Sequence, residues 1–266
     1  MRGSIPAPGA STARYGGNTP CVEVRCGDEL LIFDLGSGAR PLGEAMVRDG
    51  TQRASIFVSH YHYDHVQGLP FFPPIFNPRN AFTIYGPTRG GHTVKEILSG
   101  QMVRPYFPVG DEVFRAQVEY RTINAGERVG VGAAEIHALE LNHPGGNLAY
   151  RVEYEGHSLV YATDVEHGSE ADIFLIRFAR GADMFIVDAM YTDDEYAGRK
   201  GPPRNGWGHQ TWKAAVSSAN RAEVKKLVLF HHEPTRSDAD LERMMREIRK
   251  LRPDAVAARE SLELWA

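Results

Sequence analysis

From Ser59 the sequence runs Ser-His60-Tyr-His62-Tyr-Asp64-His65, which places three imidazoles and one carboxylate within six residues. Neutral imidazole and carboxylate together suit a borderline divalent ion, Zn²⁺ first, with Mn²⁺ and Fe²⁺ also suited. The spacing divides the set. His60 and His62 are two apart, so at a strand end they point to one side. Asp64 and His65 fall past the bend, where they can address a second ion. A solvated histidine-rich loop is the plain alternative, and so dense a group of donors argues against it.

These donors need rigid elements to hold them. An apolar strand over 55–59 leads directly into the cluster. Before it, 21–26 and 29–34 read as two strands joined by the turn signal Gly27-Asp28. Residues 39–48 have the apolar spacing of a helix. After the cluster, Pro70, Pro73, Pro74 and Pro78 exclude regular structure over 69–80. Further strands are expected at 82–85, 117–123, 133–141, 147–154, 157–163, 183–188 and 226–230, and helices at 93–99, 170–180, 209–223 and 238–251. The last helix has Ser237 as its cap and Leu241, Met244, Met245, Ile248 and Leu251 on one stripe. No repeat or linker is visible. We therefore expect one domain over 1–266, with two sheets each covered by helices.

Composition narrows the class. The 266 residues include 30 Lys plus Arg and 34 Asp plus Glu, a net charge of −4, which argues against a dedicated nucleic-acid binder but leaves room for a local basic patch. No apolar run reaches the length of a membrane span, and the first residues contain no signal-like apolar stretch. Cys21 and Cys26 sit five apart on one expected strand, so they face opposite sides and cannot bridge. A reduced, cytoplasmic protein is the expectation.

The motif His60-x-His62-x-Asp64-His65, behind an apolar strand and Asp34-Leu-Gly-Ser-Gly38, resembles the metallo-β-lactamase superfamily. The resemblance implies that family's α/β fold, a four-layer αββα sandwich of two mixed β-sheets flanked by helices. It extends along nearly the whole chain. Leu141-Asn-His143-Pro-Gly-Gly146 resembles the family's third histidine motif, Tyr161-Ala-Thr-Asp164 its bridging aspartate, and Leu227-Val-Leu-Phe-His231-His232 its last histidine. By that mapping His60, His62 and His143 hold one metal ion, Asp64, His65 and His231 hold the second, and Asp164 bridges them. His232 is the alternative to His231. The resemblance also implies that Asp34 braces the site. His92, His137 and His157 read as surface or packing residues, and so does His167, with a place behind the site, three residues past Asp164, as its lesser alternative.

Two such ions, about 3.5–4 Å apart, can share a hydroxide and clamp an anionic substrate. The superfamily uses this arrangement on lactams, lactones, thioesters, phosphodiesters and sulfate esters. A further motif chooses among them. Gly206-Trp-Gly208-His209-Gln-Thr211, at the expected start of a helix, resembles the Gly-His-x-Thr element of the phosphodiesterase branch, which includes ribonuclease Z and cyclic phosphodiesterases. In that branch His209 meets the phosphoryl oxygens and Asp188 orients it, where ribonuclease Z usually has Glu. Asp64 counts as a catalytic residue as well as a ligand. The implied function is a dinuclear metal-dependent hydrolase acting on small or cyclic phosphodiesters.

The alternatives are a lactone or acyl-ester hydrolase, ribonuclease Z-like RNA processing, and a non-enzymatic metal-binding module. No basic, Gly-rich arm lies between His143 and Asp188, so the expected partner is a small-molecule phosphodiester, with no nucleic-acid arm, no membrane, and a homodimer as one allowed assembly. Phe72, Phe76, Tyr106 and Phe107, in two aromatic-proline stretches, either wall the cleft or pack as a loop cap or dimer contact. Arg104 beside them is a weak phosphate candidate.

Overall fold

The structure, a computed structural model, describes residues 1–266. The first half contains β1 (Val22–Cys26), β2 (Glu29–Phe33), α1 (Ala39–Asp49), β3 (Arg53–Phe57), the single turn α2 (Tyr63–Val66), β4 (Ala81–Gly86), α3 (Val94–Gly100) and β5 (Gln117–Thr122). The second half contains β6 (Arg128–Val131), β7 (Ala134–Leu141), β8 (Asn147–Tyr154), β9 (His157–Ala162), α4 (Ala171–Phe178), β10 (Met184–Asp188), α5 (Asp193–Tyr196), α6 (Trp212–Arg221), β11 (Lys226–Phe230), α7 (Asp238–Leu251) and β12 (Val256–Ala257).

Two mixed sheets result, ordered β1-β2-β3-β4-β5 and β12-β11-β10-β9-β8-β7-β6. Period-two alternation builds the layers. In β2, Leu31 and Phe33 enter a core between the sheets, while Leu30 and Ile32 enter a second core beneath α1 and α3. The third core lies between the other sheet and α4, α6 and α7. Three cores between four layers make the αββα sandwich. Phe33, Phe57, Tyr150 and Tyr161 pack as a ring cluster at its centre, with centroids 5.4–5.7 Å apart. Each such buried ring is worth roughly 1.5–3 kcal/mol, so a one-residue register slip in β2 or β3 would be costly.

The two cysteines follow the same rule. Cys26 joins the core between the sheets, Cys21 packs on the outer one, and both are free.

Register also positions the site. β9, β10 and β11 run parallel, with Ala162 level with Val187 and Asp188 level with Phe230. The residues just past these strands therefore emerge along one edge: Asp164 after β9, Asp188 at the end of β10 and His231 after β11. β3 and β7 deliver His60 and His143 to the same edge. Asp34, Asp164 and His231 adopt left-handed backbone conformations, with φ of 61°, 55° and 54°. Each costs of order 1–3 kcal/mol in a non-glycine residue and persists only where surrounding contacts hold it.

Some expectations change. The proline-rich stretch is not irregular: Leu69–Phe71 and Pro73–Phe76 are single 3-10 turns, with proline in their first positions, where its missing N–H is no loss. The helix expected from 209 begins at Trp212 instead, because the Thr211 side chain accepts from Ala214 N and caps it. The short α2, α5, β6 and β12 were not expected. No helix is long and apolar enough to cross a membrane.

Candidate metal centre

Four loops at the shared edge bring seven donors together. The donor atoms of His60, His62, His143 and Asp164 lie within 4.8 Å of one another, and so do those of Asp64, His65, Asp164 and His231. Asp164 belongs to both groups, and its two oxygens divide between them. Oδ2 is 3.5 Å from His60 Nε2, while Oδ1 is 3.3 Å from His65 Nε2 and 3.2 Å from His231 Nε2. Asp64 Oδ2 closes the second group, 3.3 Å from His65 Nε2 and 3.1 Å from His231 Nε2. In the first group His143 Nε2 is 3.1 Å from His62 Nδ1. All seven are buried except His62, which opens to solvent.

The imidazoles are fixed from behind. The fully buried Asp34 accepts from Ser59 N (2.7 Å), Ser59 Oγ (2.8 Å) and Tyr161 OH (2.7 Å), and its Oδ2 is 2.8 Å from His65 Nδ1. Ser59 Oγ is 3.1 Å from His60 Nδ1, and Gly208 O is 2.8 Å from His143 Nδ1. Such contacts select the tautomer that leaves the other ring nitrogen facing the centre. His60 Nε2 and His65 Nε2 are buried with no hydrogen-bond partner. Buried imidazole lone pairs without donors, beside two carboxylates, are the donor set a divalent ion satisfies.

Electrostatics agree in the first group, whereas in the second burial works against charge on His65 but Asp164, Asp64 and Asp34 outweigh it and raise His65 well above the usual imidazole range. Burial, reinforced by neighbouring His65, pushes His60 well below the usual imidazole range, and burial lowers His143 to about 4 despite Asp164. Burial likewise lowers His62. These are neutral rings, the form that ligates. Burial would raise Asp64 and Asp164, but the adjacent histidines outweigh it and hold both carboxyls far below their usual range.

His209 stands at the flank. Its Nδ1 is 2.7 Å from Asp188 Oδ2, and its ring stacks on His231 with centroids 4.8 Å apart. Asp188 is fully buried, and its Oδ1 accepts from Met190 N. Burial works against charge on His209, but Asp188, with smaller contributions from Asp164 and Asp64, raises its pKa to about 9.

Every residue of the expected set reaches this edge. The neighbouring His232 turns away, with Nε2 3.1 Å from Ala258 O. His167 packs on Tyr196 at 4.5 Å, and His92 and His157 are exposed. His137 pairs with Glu135 on the outer sheet face. The expectation of a wall from Phe72 is corrected: it is fully buried against Phe82 in the outer core. Tyr106 is exposed, Phe76 packs on Phe114, and Phe107 meets the exposed Phe71.

Sequence reasoning missed two contributors. The first is the N-terminal segment, where Ser4 N donates to Asp64 Oδ2 (2.8 Å) and Gly3 lies so close to His231 that a Cβ would come within 2.2 Å of the ring. The second is the buried Glu166, which accepts from Gly206 N (2.6 Å), Gly208 N (2.9 Å) and Tyr196 OH (2.7 Å). Their partners are mostly backbone N–H groups, which carry no sequence signal.

Comparison with known proteins places the geometry. The chain is 22% identical to ribonuclease Z of Pyrococcus horikoshii over 82% of this chain and 81% of that one. It shares its fold with the metallo-beta-lactamase fold protein YhfI from Bacillus subtilis, with a TM-score of 0.71 at 18% identity over 99% of this chain and 95% of that one. A diphosphatase from the PhnP family gives a TM-score of 0.66 at 21% identity over 93% and 84%. The family described as Beta-lactamase superfamily domain, whose members use divalent metals, matches residues 33–232, and the chain belongs to it.

Proposed function

We propose that this chain is a metal-dependent phosphodiesterase acting on small or cyclic phosphodiesters. The observation that carries the reading is the His209–Asp188 pair, held at 2.7 Å beside both donor groups. The pair belongs to Gly206-Trp-Gly208-His209-Gln-Thr211, whose resemblance to the Gly-His-x-Thr element of the phosphodiesterase branch favours this reading over a lactone or acyl-ester hydrolase.

In this reading His60, His62 and His143 hold one divalent ion, Asp64, His65 and His231 hold another, and Asp164 is shared. Zn²⁺ is the first choice, with Mn²⁺ and Fe²⁺ suited by the same donors. Bound there, the ions supply a nucleophile from water at neutral pH and polarise the phosphoryl oxygens. The remaining work falls to the chain. Water adds to phosphorus and gives up one proton to solvent, one P–O ester bond breaks, and the departing oxygen takes a proton from His209, which solvent then reprotonates. Asp188 occupies Nδ1, so Nε2 is the donating atom. The raised pKa keeps it protonated at neutral pH. Asp188 is a positioning residue, as are Asp34 and Ser59. Asp64 touches the reacting centre only through the ion it holds.

The relatives named ribonuclease Z support a second reading, RNA cleavage. They also mean that the expectation of no dedicated nucleic-acid arm is not borne out. A cytoplasmic location and a homodimer stay with the proposal. So does a single domain over 1–266, supported by an inter-sheet core that draws on residues from Met1 to Ala258.

An assay panel on protein purified with divalent metal tests the reading: bis(p-nitrophenyl) phosphate, cyclic nucleotides, a precursor tRNA and a lactone. Turnover of the first two supports it. Turnover of the lactone alone overturns it, and cleavage of the tRNA alone favours the second reading.

A further inference from the structure

Trp207 lies between Gly206 and Gly208, two residues before His209, and is 51% exposed. Exposed aromatics elsewhere, such as Tyr106 and Trp265, sit on open surface. Trp207 is built in. Glu166 grips the peptide N–H on each side of it, from Gly206 and from Gly208, and Trp207 N donates to Arg204 O at 3.2 Å. Gly208 in turn touches the candidate ligand His143, with its carbonyl 2.8 Å from Nδ1. The indole is thus tied to the centre by one rigid turn.

One face of the indole is covered by the Arg204 guanidinium, 4.3 Å from the ring centroid. The same guanidinium lies 5.9 Å from the Tyr191 ring, which meets His209 edge-on at 6.0 Å. Arg204 is only half-buried, and its guanidinium lies over the two rings without forming an ion pair or a side-chain hydrogen bond. A guanidinium stacked on aromatic faces keeps its N–H edge available for an anion. The fixed indole and the guanidinium stacked on it form a platform, with an aromatic face and a phosphate-seeking edge, two residues along the chain from His209.

We propose that Trp207 and Arg204 form a nucleotide subsite. A nucleobase stacks on the indole face opposite Arg204, and the guanidinium edge contacts phosphate oxygen. This rests on the phosphodiesterase reading and narrows its substrate class to diesters that carry a nucleoside. Base stacking on an aromatic side chain is worth about 1–3 kcal/mol, or roughly 5- to 150-fold in affinity.

Two substrates with one leaving group isolate the subsite: thymidine 5′-(p-nitrophenyl phosphate) and methyl p-nitrophenyl phosphate. In Trp207→Ala, kcat/KM for the nucleoside diester should fall about tenfold or more, mainly through KM, with the methyl diester little changed. Trp207→Phe should restore most of the loss. Calorimetry with adenosine 5′-monophosphate and ribose 5-phosphate gives a readout without turnover. Trp207→Ala should weaken only the nucleotide, and Arg204→Ala should weaken both. Equal losses on both diesters, or unchanged nucleotide affinity in Trp207→Ala, would overturn the subsite. Failure of the wild type to hydrolyse either diester would overturn the phosphodiesterase reading instead, while the calorimetry still decides the platform.

Discussion

His209 has only one ring nitrogen to offer, because Nδ1 is committed to Asp188 Oδ2 at 2.7 Å and Asp188 is shielded completely from water. The pair links the end of β10 to the loop before α6, and two adjacent elements of the sandwich thereby set the direction of a proton.

Replacing His209 with Ala should keep the metal and lower phosphodiester turnover by about 10²–10⁴-fold. The loss should be largest for alkyl or nucleoside leaving groups and smallest for p-nitrophenolate, which departs unaided. Asp188→Asn should give a smaller loss of the same pattern. The measurement is kcat on both substrate types with metal content checked, and equal losses would leave charge stabilisation as the role of His209.

Asp164→Ala should lose metal and activity together, since its two oxygens face different donor groups. Elemental analysis of protein purified without chelator should give two ions per wild-type chain and fewer than one in the variant. A ceiling of one ion in a fully active wild type would contradict the dinuclear proposal.

Gly208→Ala should be more damaging than its size suggests. The residue has a φ of 83°, and an added Cβ would meet His143 Nδ1 at 2.2 Å. A destabilisation of at least about 1 kcal/mol is expected from the backbone conformation alone, accompanied by weaker metal retention as His143 shifts. Urea unfolding and metal content measure the two effects, and a variant with both unchanged would show that His143 has another place to go.

Glu195 makes acid stability predictable. Burial would raise its pKa, but the Arg236 guanidinium at 2.8 Å and the Thr192 N–H lower it below the usual glutamate range. A depressed carboxyl contributes stability above its unfolded pKa and loses it as pH falls through the folded one. Glu195→Gln should therefore cost on the order of 1 kcal/mol at pH 7. The gap in urea midpoint should close as the pH falls below the usual glutamate range, and a gap independent of pH would assign the effect to packing.

Much of the centre was legible because ligand chemistry is local. Three histidines and an aspartate between His60 and His65 announce themselves, and the later donors each follow a strand of plain apolar pattern. The layers were legible for the same reason, through alternation in strands such as β2 and the stripe on α7. What was not legible depends on backbone. Ser4 reaches Asp64 through a peptide N–H across 60 positions, and Glu166 grips two peptide groups 40 and 42 residues away. Side-chain identity at such positions says nothing of the partner. The start of α6 shifted because Thr211 competes for the cap, a choice that periodicity does not register.

The divided carboxylate of Asp164 has a thermodynamic corollary. A side chain whose two oxygens serve two neighbouring sites cannot be oriented for one without being oriented for the other. Filling either site spends the rotamer freedom of Asp164 once and on behalf of both, while the charge of the first ion repels the second. Whatever factor results, it acts equally in both directions. Under the dinuclear proposal, uptake at the two sites should follow a single coupled isotherm, whose Hill slope would measure the balance between a shared ligand and a shared repulsion.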